Sequence, residues 1–198
     1  ISMNKKDIAD FFDSCAPQWD SNMVRDEAVI AEILNNAGVT ENCRVLDVAC
    51  GTGVLIPDYL TRKVASITAV DISPEMINIA QKKFTDDKIS FYCNDIETME
   101  ITDKFDSIVI YNAFPHFPDP ENLIKTLSGY LNNNGILTVA HGMSRAMLDK
   151  HHSSKASRVS LSLPDENSMA DLFSSYLRVT TKISNDRMYQ VAGMFHAL

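Results

Sequence analysis

Residues 45–53, Val-Leu-Asp-Val-Ala-Cys-Gly-Thr-Gly, run from a short apolar segment into a turn with two glycines. Gly51 and Gly53 let the backbone pass close to a ligand at a point where a side chain would clash. Ligands of open parallel sheets bind at the carboxyl ends of strands, and this turn follows such a strand. Asp47 can hold the turn or accept a hydrogen bond from a ligand amine. The segment therefore predicts a turn that binds a small molecule.

Two acidic residues follow, each where a further strand of such a sheet is predicted to end. A carboxylate at Asp71 can accept hydrogen bonds from both ribose hydroxyls of an adenosine. Asp95 comes after the third strand, where it can accept a hydrogen bond from the adenine amino group while Ile96 packs on the ring. Together with the glycine turn, these acids predict a pocket for an adenosine compound. The alternative is that they are helix caps or ordinary turn residues.

Four of the five histidines lie at the predicted ends of central strands or just beyond them: His116, His141, His151 and His152. Histidine is the side chain best suited to take a proton near neutral pH. His116 and His141 are therefore the candidate catalytic residues. The same four histidines are also candidate ligands of a divalent metal, although no HxxxH-type local spacing brings them together. The alternative is that these are solvent-exposed or ordinary hydrogen-bonded histidines, which we expect for His152 and above all for His196, the fifth histidine.

The turn lacks the third glycine of the dinucleotide-binding fingerprint, because Val54, Leu55 and Ile56 follow Gly53. Close approach of a pyrophosphate to the helix start is thereby disfavoured, and a cofactor without phosphates is favoured. Two other classes share parts of the pattern. A nicotinamide-dependent oxidoreductase would use the same sheet and Asp71, and a non-catalytic module could bind an adenosyl ligand.

Short β-branched runs alternate with helical segments along the chain, which is the pattern of stacked βαβ units. Five runs are nearly continuous in apolar residues, as in strands that are covered on both faces: 44–48, 66–70, 89–92, 106–110 and 135–140. Two further strands, near 178–183 and 188–196, are joined by Asn185-Asp186, which predicts an antiparallel hairpin at one edge. The predicted fold is α/β, with a doubly wound, seven-stranded, mostly parallel sheet.

The helices of this fold have recognisable starts. Ser73-Pro74-Glu75 and Asp119-Pro120-Glu121 each combine an N-cap residue with proline at the first helical position. The second of these helices is predicted to run to Leu131 and to end at residues 132–135. Another helix is predicted over about residues 165–176.

The chain, residues 1–198, is interpreted as one domain with three parts. Residues 4–36 are predicted to form an N-terminal helical cap, and residues 43–141 a cofactor-binding core. Residues 142–164 are long and polar for a connection in a compact domain, so we expect a loop that covers the substrate. Arg145 in this segment is available for an anionic acceptor.

Composition restricts the partners and the location. The formal net charge is −8 and no stretch is rich in Lys or Arg, which argues against nucleic acid or an anionic membrane as a partner. No apolar run approaches the roughly 20 residues that span a bilayer. The four cysteines show no CxxC spacing, so a reducing compartment and hence a cytoplasmic location are expected. No oligomeric state is predicted.

Five segments occur in a fixed order between residues 43 and 141: VLDVACGTG, VDIS, ND, FDSIVIYNAFPHF and LNNNGILTVAH. This series resembles the class I S-adenosylmethionine-dependent methyltransferases. The segment FFDSCAPQWD at residues 11–20 is similar to the N-terminal segment of the ubiquinone/menaquinone-biosynthesis type, where it helps close the cofactor pocket. The resemblance implies a Rossmann-like methyltransferase fold, S-adenosylmethionine as cofactor, S-adenosylhomocysteine as product and a small-molecule acceptor.

The resemblance also implies roles for residues of this chain. The implied cofactor contacts are Asp47, Gly51 and Gly53 at the methionine part, Asp71 and Ile72 at the ribose, Asp95 and Ile96 at the adenine, Asn112 at the sulfonium, and Trp19 in the covering segment. Phe12 in the same segment is an implied substrate contact, and Cys15, Arg145 and His151 are candidate substrate contacts from their positions in the sequence. Methyl transfer from a sulfonium is an in-line displacement, in which alignment of the reacting groups supplies much of the rate.

Overall fold

A computed structural model of the chain describes residues 3–152 and 156–198, without the side chains of His151 and His152. Its seven strands are β1 (Arg44–Val48), β2 (Ser66–Asp71), β3 (Ile89–Cys93), β4 (Phe105–Tyr111), β5 (Leu131–His141), β6 (Arg178–Ser184) and β7 (Tyr189–Met194). They form one sheet in the order β3-β2-β1-β4-β5-β7-β6. The first five strands are parallel, whereas β7 is antiparallel to both β5 and β6. The predicted mostly parallel sheet with a C-terminal hairpin is confirmed.

The helices are α1 (Lys5–Asn22), α2 (Glu27–Asn36), α3 (Ile56–Thr61), α4 (Pro74–Lys83), α5 (Pro120–Ser128), α6 (Arg145–His152) and α7 (Glu166–Ser174), with a short 3-10 turn at Phe114–His116. The expected caps are present: the Ser73 side chain accepts a hydrogen bond from the Met76 amide, and Asp119 accepts one from the Asn122 amide. Among the described residues, no helix combines the length and the apolar character needed to cross a membrane.

The sheet is buried on both faces, which explains why its central strands are apolar at successive positions. On one face Leu46, Ile108 and Leu137 belong to a core that includes residues of α5 and α7. On the other face Val45 and Ile67 belong to a second core with residues of α2 and α3. The carboxyl ends of the strands are left as the edge at which loops can build a site.

Two parts of the chain differ from the predicted elements. The prediction that α5 runs to Leu131 is wrong: α5 ends at Ser128 with Gly129 as its cap, and Leu131 already pairs with Phe105 in the sheet. The expected irregular loop at 142–164 contains α6. The Ser144 hydroxyl accepts a hydrogen bond from the Met147 amide in the first turn of this helix.

Candidate active site

A cavity of about 530 Å³ lies where β1, β2, β3 and β4 end, with α1 as one wall. Its lining includes the residues that follow these strands: Ala49–Gly51, Val70–Ile72, Asn94–Ile96 and Tyr111–Ala113. The chain leaves β1 for β2 on one side and later returns to β4 on the other, so the cavity lies at a topological switch point. Its volume falls within the range of roughly 300–1,000 Å³ that is usual for small-molecule sites.

The glycine turn after β1 presents one glycine to the cavity and the other to the protein interior. Gly51 has a φ of +56°, and a Cβ placed there would lie 3.8 Å from the nearest atom, Nε1 of Trp19. A Cβ at Gly53, where φ is +88°, would lie 2.7 Å from the Phe84 ring. Gly51 therefore lines the cavity, whereas Gly53 lies outside the lining and allows tight packing of the turn against Phe84.

Asp71 ties the turn to the start of α4 while lining the cavity. Its carboxylate accepts hydrogen bonds from the Gly51 amide at 2.8 Å and from the Ser73 amide at 2.9 Å. Burial raises the pKa of Asp71, and these two amides oppose the rise. A buried carboxylate at the end of β2 is thus available to hydroxyl donors of a ligand.

Asp47 lies outside the cavity lining, with 2% of its surface exposed. Burial raises the pKa of Asp47 to about 8; the Tyr59 hydroxyl opposes the rise and the Asp71 carboxylate adds to it. The structure therefore places Asp47 next to the glycine turn rather than on the cavity surface.

Asp95 lines the cavity beyond β3 and pairs with a residue that the sequence analysis did not identify. Lys5 Nζ lies 3.0 Å from the Asp95 carboxylate and also forms an ion pair with Glu97. Lys5 belongs to α1, 90 positions away in the sequence, so no local motif could have indicated this pair. Ile72 and Ile96 complete the apolar lining at this end.

Helix α1 covers the cavity with one face. The residues it contributes to the lining lie on one side of the helix, most of them three or four positions apart: Lys5, Ile8, Phe11, Phe12, Cys15, Trp19 and Asn22. Asp13 accepts a hydrogen bond from the Ser73 hydroxyl at 2.5 Å, and Asp20 accepts one from the Thr52 hydroxyl at 2.6 Å. Ile8 was not identified from the sequence, although the spacing of the apolar residues in α1 indicates that it lies on the same face as Phe12.

His116 lines the cavity from the 3-10 turn after β4. Its Nδ1 lies 2.8 Å from the carbonyl oxygen of Val159 and 3.2 Å from the Ser160 hydroxyl. A carbonyl oxygen only accepts hydrogen bonds, so Nδ1 must be the protonated nitrogen of this contact. The neutral ring then has its lone pair on Nε2. The ring also meets Phe12 edge-on, with centroids 4.8 Å apart.

His141 is placed differently. It is the last residue of β5, still paired with Tyr189 in the sheet, and it is 1% exposed and outside the cavity lining. The structure therefore does not bring His116 and His141 together at the cavity. In residues 3–152 and 156–198, no group of three or more His, Cys, Asp or Glu side chains could hold a metal ion. The side chains of His151 and His152 lie outside the described part.

The remaining predicted site residues divide between the cavity and its surroundings. Asn112 lines the cavity with a φ of +54°, and its side-chain oxygen accepts a hydrogen bond from the Gly142 amide at 2.9 Å. Phe12, Cys15 and Trp19 also line it. Arg145 does not, since its guanidinium Nε donates to the Leu163 carbonyl at 3.1 Å. Residues that sequence reasoning missed also line the cavity: Ala49, Met143 and Leu148.

The strand order and the ligand-sized cavity behind the glycine turn define the fold of class I methyltransferases. Comparisons with known proteins agree. Residues 45–135 match the family model described as "Methyltransferase domain". The malonyl-[acyl-carrier protein] O-methyltransferase of Acetivibrio thermocellus is 29% identical over 167 residues, which cover 83% of this chain and 59% of that protein.

Solved structures show the same fold over almost the whole chain. A putative methyltransferase in complex with the Trm112 methyltransferase activator of Haloferax volcanii matches with a TM-score of 0.82 and 18% identity, covering 96% of this chain and 98% of that one. The N-methyltransferase NodS from Bradyrhizobium japonicum, in complex with S-adenosyl-L-homocysteine, matches with a TM-score of 0.73 and 13% identity. The match covers 95% of this chain and 98% of that one.

Residues 45–135 thus form a methyltransferase domain, and the chain has the fold of S-adenosylmethionine-dependent methyltransferases. It spans 59% of the length of the Acetivibrio relative and about half the length of the malonyl-[acyl-carrier protein] O-methyltransferases of Priestia megaterium and Bacillus anthracis. The nicotinamide-dependent oxidoreductase is not favoured as an alternative.

Proposed function

We propose that this chain transfers the methyl group of S-adenosylmethionine to a small-molecule acceptor, with His116 as the base that removes the acceptor's proton. The observation that carries the proposal is the contact between His116 Nδ1 and the Val159 carbonyl at the wall of the cavity. The other strand-end residues of the cavity supply a site for the cofactor.

The residues present fit S-adenosylmethionine on three counts. The space in front of Gly51 is open to the cavity, so a ligand can approach the backbone there. Asp71 provides a buried acceptor for ribose hydroxyls, and the half-buried carboxylate of Asp95 provides an acceptor for the adenine amino group. Ile72 and Ile96 give the apolar contacts that an adenine ring needs. Asn112, which lines the cavity at the end of β4 and precedes His116 in the chain, is placed to face the sulfonium.

When bound, the cofactor supplies an electrophilic methyl group: the acceptor's lone pair forms the new bond to carbon while the carbon–sulfur pair leaves with sulfur. The acceptor's proton passes to Nε2 of His116. The Val159 carbonyl holds the imidazole in the tautomer that can accept this proton and interacts favourably with the cation that forms. Residues 142–164, the proposed substrate-facing segment, contribute Met143 and Leu148 to the wall.

The first test separates cofactor binding from catalysis. S-adenosylhomocysteine should raise the melting temperature, because a ligand at a hundredfold excess over its Kd stabilises the folded state by about 2.7 kcal/mol. NAD should not raise it. A shift with NAD alone would overturn the proposed cofactor.

The second test concerns the base. His116→Gln should lower kcat by roughly 10²–10⁴-fold toward an acceptor that must lose a proton, since general bases contribute about that much. The S-adenosylhomocysteine shift should persist in this variant. His196→Gln changes an exposed histidine at the far end of the chain and serves as the matched control. Unchanged turnover in His116→Gln would remove the base from the proposal, and loss of wild-type turnover in chelator would point to a metal instead.

A further inference from the structure

Lys5 joins the first turn of α1 to the loop that follows β3. Its Nζ donates a hydrogen bond to Asp95 Oδ1 at 3.0 Å and also forms an ion pair with Glu97. The Phe117 ring, from the segment beyond β4, has its centroid 5.9 Å from the same nitrogen. Lys5, Asp95 and Phe117 line the cavity, whereas Glu97 lies outside the lining. One ammonium group therefore connects the start of α1 with the segments that follow two strands of the sheet.

The Glu97 carboxylate explains why the ammonium group is held at this place. The side chain of Glu97 is 7% exposed, and a carboxylate with so little access to water is costly unless a cation compensates it. Lys5 supplies that cation. Removing one partner of such a pair leaves an uncompensated buried charge, which is strongly unfavourable. Glu97 therefore anchors the ammonium group of Lys5 beside Asp95.

Two donors hold the Asp95 carboxylate through the same oxygen atom. Besides Lys5 Nζ, the backbone amide of Glu97 donates to Asp95 Oδ1, also at 3.0 Å. Because both hydrogen bonds end on Oδ1, they set the orientation of the carboxylate and leave the lone pairs of Oδ2 outside this network. An acceptor that is oriented before the ligand arrives loses less freedom on binding, so it contributes more to affinity than a rotating one.

We propose that Lys5 is a positioning residue for cofactor recognition, which acts through Asp95 Oδ1 and directs Oδ2 toward the 6-amino group of the adenine. The inference rests on the proposed function, in which Asp95 accepts a hydrogen bond from that amino group. A lysine that only held α1 over the cavity would affect every ligand to the same extent. A lysine that positions Asp95 affects the ligand that carries the amino group more than one that lacks it.

The test compares two ligands that differ only in the amino group: S-adenosylhomocysteine and its 6-deamino analogue, in which hydrogen replaces that group. Isothermal titration calorimetry of the intact chain gives a Kd for each. The analogue loses a hydrogen bond to a charged acceptor, so the wild type should bind S-adenosylhomocysteine roughly tenfold or more tightly. Lys5→Met should lower this preference by roughly threefold or more, which is within the coupling expected for members of one polar network.

Three further variants make the test specific. Lys6→Met is the matched control, since Lys6 pairs with Asp10 on the exposed surface of the same helix, and it should leave the preference unchanged. Lys5→Arg retains a cation and should keep most of the preference. Lys5→Met/Glu97→Gln removes the carboxylate that Lys5→Met leaves unpaired, so it serves as the second variant if the single one folds poorly. Its preference should be lowered in the same way.

A double-mutant cycle shows whether Lys5 acts through Asp95. In an Asp95→Asn background, Lys5→Met should not change the preference, because the carboxylate that Lys5 positions is gone. Equal weakening of both ligands by Lys5→Met in the wild-type background would overturn the inference, and so would a wild type that binds both ligands equally. Failure of the wild type to bind either ligand would instead overturn the proposed function itself.

Discussion

The carboxyl group of Asp47 should make the stability of the protein fall as the pH rises. Burial raises the pKa of Asp47 from its ordinary 3.8 to about 8, so the folded protein retains a proton that the unfolded chain releases. The folded state then binds more protons between those two values, and the free energy of unfolding decreases across that window. At 1.36 kcal/mol for each pH unit, the decrease from pH 4 to pH 8 amounts to roughly 5 kcal/mol.

Asp47→Asn keeps the shape of the side chain and removes its ionisation. Without cofactor, the stability of the variant relative to the wild type should rise by roughly 4 kcal/mol between pH 5 and pH 8. Urea unfolding followed by far-UV circular dichroism at pH 5, 6, 7 and 8 measures this difference. A shallower slope of the same sign should persist, because burial also raises the pKa of Asp71.

The matched control is Asp171→Asn, which removes a carboxylate from the exposed side of α7. Its stability should follow the wild type at every pH. The reasoning is refuted if the free energy of unfolding of Asp47→Asn has the same pH dependence as that of the wild type. It is also refuted if the variant is more destabilised relative to the wild type at pH 8 than at pH 5. Either result would mean that Asp47 is already ionised in the folded protein.

Two further predictions concern the turn after β1. Ala49 has a φ of +56°, which costs an L-residue roughly 1–2 kcal/mol, so Ala49→Gly should stabilise the protein by up to about 1 kcal/mol after the entropy gained by the unfolded chain. Calorimetry should record a melting temperature for Ala49→Gly that is higher than that of the wild type by about 2–4 °C. An unchanged or lower melting temperature would mean that the backbone at Ala49 is not strained. Gly53→Ala should destabilise the fold by roughly 1–3 kcal/mol more than Gly51→Ala, because its Cβ meets Phe84. Gly51→Ala should instead lose more affinity for S-adenosylhomocysteine, relative to the stability it loses, than Gly53→Ala does, as measured by titration. The reverse order would contradict the conclusion that Gly51 faces the cavity and Gly53 packs against Phe84.

The sequence predicts those parts of the fold that depend on neighbours along the chain. Strand β1 was predicted with its observed bounds because a strand covered on both faces is apolar at successive positions. The N-caps at Ser73 and Asp119 depend on a side chain and an amide three residues later. Gly51, Asp71 and Asp95 were predicted for the cavity on the same basis, since each lies at the end of a strand or within three residues of it and parallel strands end at one edge.

Features that depend on the direction of a side chain or on distant partners were not predictable. His116 and His141 are both predicted near the end of a strand. Only His116, which lies in the 3-10 turn beyond β4 and outside the sheet, lines the cavity. His141 is still in register with Tyr189 and is buried with the sheet. Arg145 was expected to face the substrate, but the start of α6 directs it to the Leu163 carbonyl.

Helix α1 links the closure of the cavity to the shape of the cofactor-binding loops. Only Ile8 and Ala16 of this 18-residue helix are buried, because the face that would pack against a core lines the cavity instead. Its position therefore depends on polar contacts to the loops. Two of these contacts end on Ser73 and Thr52, which lie two residues from Asp71 and next to Gly51 in the chain, and Lys5 pairs with Asp95. A ligand that fixes the loops also fixes the groups that hold α1, and by reciprocity an ordered α1 favours the loops that bind the ligand. The order of α1 and the affinity for the cofactor must therefore change together.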